Sequence, residues 1–203
     1  MRGSDTSSAV VEWAMTELMR HPEAMKKTQD EVRSLVENKE IVEESDLDQL
    51  HYLKSVIKET MRIHPPVPLL VQRETMQECE INGYRIPAKT RLFINTLAIG
   101  RDQDAWERAD EFYPERFMDS SIDYKGHDFQ FIPFGAGRRI CPGMHAGILV
   151  VELALANLLH RFNWELPKGI SKEDIDMGEA PGVTVHRKSS LQLVATQFLD
   201  VKG

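Results

Sequence analysis

Val10, Val11, Trp13, Ala14, Leu18 and Met19 recur at helical spacing almost from the start of the chain, with Ser4 and Asp5 ahead of them as N-cap candidates. His21-Pro22 ends this pattern, and Pro22 suits the first position of a second helix because its missing N–H has no partner to lose there. The second pattern sets Met25, Val32, Leu35 and Val36 on one face, with Lys and Glu on the other. Ser45 to Gln49 is a further start signal. Leu53, Val56, Ile57, Thr60 and Met61 then form the stripe of a third helix, which His64-Pro65-Pro66 terminates. After the prolines the period changes. Residues 69–71 read as a strand, Ile81-Asn82-Gly83-Tyr84 as a hairpin turn, and residues 91–95 as a second strand. Residues 101–137 read mostly as loop, with Trp106, Phe112, Phe117, Phe129, Phe131 and Phe134 expected to be buried. A stretch this long without regular structure usually has a function. A long apolar helix follows Gly143 and runs to Phe162. The tail predicts a hairpin of residues 183–186 and 191–195 about Lys188-Ser189-Ser190. Helices early and short strands late predict a mainly α fold with small β sheets (α+β).

The chain has 203 residues, 41% hydrophobic and 28% charged, enough for one domain with a sizeable core. Its net charge of −7 argues against nucleic acid as the main partner. No apolar run is long enough to span a bilayer, and the polar first six residues are not a secretory signal. Cys79 and Cys141 are too few for a disulfide framework and lack metal-cluster spacing. One disulfide stays open, with a reducing compartment the expectation. Any role for Cys141 is therefore chemical, whereas Cys79 lies in a polar stretch and is expected to be inert.

The informative segment is Phe131-Ile-Pro-Phe-Gly-Ala-Gly-Arg-Arg-Ile-Cys-Pro-Gly143. Cys141 sits just before a helix start, where free N–H groups and the helix dipole stabilise a thiolate. Gly135 and Gly137 permit tight turns and close approach of backbone to a flat ligand. Arg139 supplies a fixed positive charge able to pair with a carboxylate. Read alone, Glu59 and Arg62 are an i,i+3 ion pair of little worth, and Asp5 and Thr6 are helix-capping residues.

Phe134, Gly137, Arg139, Cys141 and Gly143 resemble the cytochrome P450 haem-loop pattern F-x-x-G-x-R-x-C-x-G. Five fixed residues should coincide on the order of once in 10⁴ chains of this length. Glu59 and Arg62 are similar to the family's E-x-x-R, Pro114-Glu115-Arg116-Phe117 to its P-E-R-F, and Gly3-Ser4-Asp5-Thr6-Ser7 to the oxygen-activating stretch of its long I helix. Lys58-Glu-Thr-Met-Arg-Ile-His-Pro-Pro66 and Asn95-Thr-Leu-Ala-Ile-Gly-Arg-Asp102 most resemble the plant family 71 group of microsomal P450s. The likeness extends over residues 1–203, as the C-terminal part of a single P450 domain.

The resemblance implies haem b with iron ligated by Cys141, and propionates held by Arg139 and Arg73. It implies a triad of Glu59, Arg62 and Arg116 that anchors the cysteine loop, and Thr6 and Asp5 on the oxygen side delivering protons. Val67, Leu69, Leu70, Val71 and Val183 would edge an apolar substrate pocket. The implied reaction inserts one atom of O₂ into a small apolar or aromatic molecule, with electrons from NADPH through NADPH–cytochrome P450 reductase. Arg138 is a candidate docking residue for that reductase. The competing readings are a P450-type isomerase or dehydratase that does not use O₂, which needs no Asp5-Thr6 pair, and a truncated, non-catalytic chain. Relative to the family, the chain is expected to lack the N-terminal membrane anchor and the earlier helices. The implied location, the cytosolic face of the endoplasmic reticulum membrane, therefore belongs to the parent protein. The chain alone is expected to fold poorly and to be inactive.

Overall fold

His21 alone separates the first two helices, α1 (Gly3–Arg20) and α2 (Pro22–Val36), as the proline signal predicts. The computed structural model describes residues 3–36 and 39–198. A 3₁₀ turn, Glu44–Gln49, leads into α3 (His51–Ile63), where Glu43 and Asp46 form a reciprocal capping box. The last long helix is α5 (Met144–Arg161). Leu18 of α1, Leu53 and Val56 of α3, and Leu155 and Leu159 of α5 are all fully buried, so the core lies where these three helices meet. Ser4 and Asp5 lie inside the first turn of α1 rather than before it. Asp5 there complements the helix dipole instead of capping the helix.

Among the described residues the strands form four two-stranded antiparallel sheets. β2 (Cys79–Ile81) and β3 (Tyr84–Ile86) form the expected hairpin. Asn82 at φ +49° and Gly83 at φ +81° supply the two left-handed residues that such a turn needs. Residues 69–71 are not a strand. Pro65, Pro66 and Pro68 offer no N–H to a ladder, and the chain turns instead, with Leu70 N–H bonded to the Val67 carbonyl at 3.0 Å and Leu70 at φ +49°. Pairing starts two residues later, between β1 (Arg73–Glu74) and β4 (Arg91–Leu92). The strand predicted over residues 91–95 stops at Leu92. Asn95 accepts from Ala98 N–H at 3.0 Å and caps a short helix, α4 (Thr96–Gly100).

The tail also differs from expectation. β7 (His186–Arg187) pairs with β6 (Glu179–Ala180), while β8 (Val194–Gln197) crosses to β5 (Phe162–Glu165). Arg187 explains the change: it is buried and donates to Thr16 Oγ1 at 3.0 Å, which ties this part of the tail to α1. In the long loop, Trp106, Phe117 and Phe131 are buried as predicted, with ring centroids 5.2 to 6.4 Å apart. Phe129 is 70% exposed, contrary to expectation.

Candidate functional site

The cysteine loop is shaped by its own backbone. Gly135 at φ +76° and Gly137 at φ +67° occupy the left-handed region. Gly135 N–H reaches the Ile132 carbonyl at 2.9 Å, Ile140 N–H the Gly137 carbonyl at 3.1 Å, and Cys141 N–H the Phe134 carbonyl at 3.0 Å. These bonds fold the loop back on itself just ahead of α5. The Cys141 sulfur lies 4.0 Å from where a Cβ at Gly143 would stand, so glycine leaves the thiol side open. Both cysteines are free and exposed, and Cys79 begins β2 far along the chain from the loop.

A cleft of about 400 Å³ runs between the start of α1 and the start of α5, lined among others by Thr6, Val10, Phe134, Cys141, Gly147 and Val150. The sequence-predicted cysteine and hydroxyl therefore share one cavity. Clefts of about 580 and 520 Å³ elsewhere on the surface include neither residue in their linings. Thr6 Oγ1 donates to the Gly3 carbonyl at 3.3 Å. The Asp5 carboxylate is engaged by His186, with Nε2 3.2 Å from Oδ1.

Arg73 reaches the loop from β1: its Nη2 would touch a Cβ at Gly135 at 3.5 Å, as would Leu70 Cδ1. Arg73 Nε is buried without a hydrogen-bond partner among the described residues. Arg138 and Arg139 are exposed. Val67, Leu69, Leu70, Val71 and Val183 do not line the cleft that holds Cys141. Leu69, Val71 and Val183 are exposed, and Val67 and Leu70 half-buried, on the turn after α3 and on the tail.

Glu59, Arg62 and Arg116 do meet. Arg62 Nε and Nη2 donate to the two oxygens of Glu59 at 2.7 and 2.8 Å, and Arg116 Nε donates to Oε1 at 2.9 Å. Tyr113 N–H adds a fourth donor at 2.8 Å. The guanidinium edges left over bind loop carbonyls: Arg62 those of Gly100, Ala109 and Glu111, and Arg116 that of Glu107. Two cations and one anion thus lace α3 to residues 100–116. Trp106 of that segment and the adjoining Phe117 pack on Phe131, the first residue of the cysteine segment.

A second buried cluster has no counterpart in the sequence reading. His64 stacks flat on Trp13, with centroids 3.9 Å apart and planes 5° from parallel. Its Nε2 donates to Glu17 at 2.7 Å, and His21 Nδ1 approaches the other Glu17 oxygen at 3.3 Å. Burial pushes the Glu17 carboxyl up, but the hydrogen bonds from His21 and His64 outweigh it and hold the group at about 2. The available signal was Glu17 standing beside Leu18 within an apolar stripe, where a lone carboxylate needs a partner.

A family model described as cytochrome P450 matches residues 1–193. The chain belongs to the cytochrome P450 family. Cytochrome P450 71A1 of Persea americana is 61% identical over 197 residues, covering 97% of this chain and 39% of the relative. Strychnine-11-hydroxylase of Strychnos nux-vomica is 56% identical over 194 residues, covering 96% of this chain and 38% of the relative. Other similar relatives are family 71 P450s of Arabidopsis thaliana. A solved zebra fish cytochrome P450 with abiraterone superposes with a TM-score of 0.84 at 30% identity, covering 95% of this chain and 44% of that one. The fold is therefore part of the P450 fold, and the chain spans about two fifths of the length of these plant relatives.

Haem is the cofactor that P450 membership implies, and the residues present suit it. An exposed thiol opens on an apolar cleft, the loop backbone turns through two left-handed glycines, and a buried Arg73 Nε has no partner of its own.

Proposed function

We propose that this chain carries the haem site of a monooxygenase, with the Cys141 thiolate as the iron ligand of haem b. The observation that carries the reading is the single cleft shared by Cys141 and Thr6, which sets a soft ligand and a hydroxyl in one cavity. The haem supplies the binding and reduction of O₂. Cys141 would hold the iron through its thiolate and would donate electron density to it. Arg73 and Arg139 pair with the propionates, relieving the unpaired Nε of Arg73. Thr6 holds a proton at Oγ1 for delivery into the cleft, and Asp5 replenishes it from the solvent side. Glu59, Arg62 and Arg116 fix the loop that positions Cys141.

The substrate is a small apolar or aromatic molecule, in keeping with the apolar walls and with a relative named as a hydroxylase of strychnine. Val67, Leu69, Leu70, Val71 and Val183 lie outside the cleft that holds Cys141, and only the family resemblance assigns them to the border of the substrate space. Electrons come from NADPH through NADPH–cytochrome P450 reductase, with Arg138 on the docking face. The parent protein sits on the cytosolic face of the endoplasmic reticulum membrane through an N-terminal anchor. Among the described residues no helix is long and apolar enough to cross a membrane.

The test is turnover of a panel of apolar aromatic compounds by the full-length protein with reductase and NADPH under ¹⁸O₂. Product carrying one ¹⁸O atom supports the reading. Product formed without NADPH or ¹⁸O replaces it with the isomerase or dehydratase class, and absence of haem replaces it with a non-catalytic chain.

A further inference from the structure

Asp5, Glu12 and Thr16 lie on one side of α1, and the tail of the chain is fastened along them. Arg187 is the central fastening. It is 7% exposed, donates to Thr16 Oγ1 at 3.0 Å, and sets its guanidinium 5.4 Å from the Trp13 ring centroid. Leu191 N–H donates to Glu12 Oε1 at 3.1 Å, and Val185 N–H to the Pro66 carbonyl at 2.9 Å. His186 is thus clamped between Val185 and Arg187, and its Nε2 stands 3.2 Å from Asp5 Oδ1. The imidazole is half-buried, one edge toward Asp5 and part of its surface in solvent. Asp5 directly precedes Thr6, whose side lines the cleft with Cys141.

We infer that His186 is a positioning residue for proton supply: it fixes the Asp5 carboxylate in the first turn of α1, one residue ahead of Thr6. The inference rests on the proposed role of Asp5 and Thr6. The neighbouring charged groups are otherwise engaged: Glu12 faces Arg187 at 3.9 Å, Glu17 binds His64 and His21, and Glu179 of β6 stands 3.9 Å from His64 Nδ1. Asp5 is thus the carboxylate left for His186.

The test uses the full-length haem-loaded protein with reductase and NADPH, without added organic substrate. Reduction of O₂ to hydrogen peroxide takes two protons and two electrons, and reduction to water takes four of each. The share of NADPH electrons recovered as peroxide therefore reads proton supply. His186→Ala should raise that share about twofold or more at unchanged haem content, while His186→Arg, which keeps a cation facing Asp5, should stay near the parent. Asp5→Asn should raise it similarly, and Asp5→Asn with His186→Ala should raise it no further than either alone. A thermal-melt cycle of Asp5→Asn and His186→Gln should give non-additive shifts, and it decides the matter should His186→Ala lose haem. A parental peroxide share in His186→Ala, or additive shifts in the cycle, overturns the inference. A parent protein without a thiolate-ligated haem overturns the proposed function first, and this inference with it.

Discussion

Arg62 grips Glu59 through both a 2.7 Å bond from Nε and a 2.8 Å bond from Nη2, with both side chains wholly shielded from solvent. Two residues three apart on a helix would ordinarily form a weak surface pair. Here Arg116 brings a second cation and Tyr113 N–H a further donor, so the carboxylate is saturated and the loop is bound to α3. Glu59→Ala leaves two guanidiniums facing each other in the interior. The expected loss is roughly 3–5 kcal/mol of stability, with failure of the full-length protein to take up haem. Normal haem content by pyridine haemochrome assay in Glu59→Ala would refute the anchoring role.

Gly100 tests the same joint from the backbone. A Cβ at this position would stand 2.5 Å from the Arg62 carbonyl oxygen, closer than real contacts allow, and both partners are backbone-bound. Gly100→Ala should therefore push α4 away from the end of α3 and cost about 1–3 kcal/mol, read as a lower urea midpoint. A midpoint equal to the parent's would mean that α4 does not pack as described.

The Glu17 cluster makes the stability of the chain pH-dependent in two opposite senses. The folded Glu17 carboxyl lies at about 2, below its ordinary 4.5, so its contribution is complete above 4.5 and is lost as pH falls toward 2. His21 is raised above its ordinary 6.5, chiefly by its hydrogen bond to Glu17, so its contribution is complete below 6.5 and is lost as pH rises past the raised value. The pair thus stabilises most between about pH 4.5 and 6.5. The melting-temperature difference between the parent and Glu17→Gln should be widest in that window and shrink on both sides. A difference independent of pH would show that these groups do not titrate as a unit.

Much of the site was legible because its residues sit at fixed local spacings. The cysteine loop, the Glu59-Arg62 pair and the Asn82-Gly83 turn each declare themselves within a few positions. What escaped were features decided by distant partners. Residues 91–95 look strand-like, and only the Asn95 cap marks the helix that follows. The apolar run at residues 69–71 lies among prolines that deny it a ladder. Val194 pairs with Glu165 and Arg187 bonds to Thr16, choices that periodicity alone does not contain. The His64–Glu17 bond likewise joins two helical segments that only the tertiary fold brings together.

Thr6 lines the cleft opposite the cysteine loop, and among the described residues its hydroxyl is held by a 3.3 Å bond to the Gly3 carbonyl. That loose tether leaves the hydroxyl free to turn into the cavity. In the full-length protein Thr6→Ala should keep its haem and its NADPH consumption but divert electrons to hydrogen peroxide, raising the peroxide yield severalfold. Peroxide yields equal to the parent's would remove Thr6 from proton delivery.

The central claim is that Cys141 is the thiolate ligand of a haem iron. Its most direct measurement is the absorption spectrum of the full-length, dithionite-reduced protein before and after carbon monoxide, for the parent and for Cys141→Ser. The parent should show the red-shifted Soret band of a thiolate-ligated haem, and Cys141→Ser should lose that band. A red-shifted band that survives in Cys141→Ser, or a parent whose carbon monoxide spectrum is that of a histidine-ligated haem, would contradict the assignment.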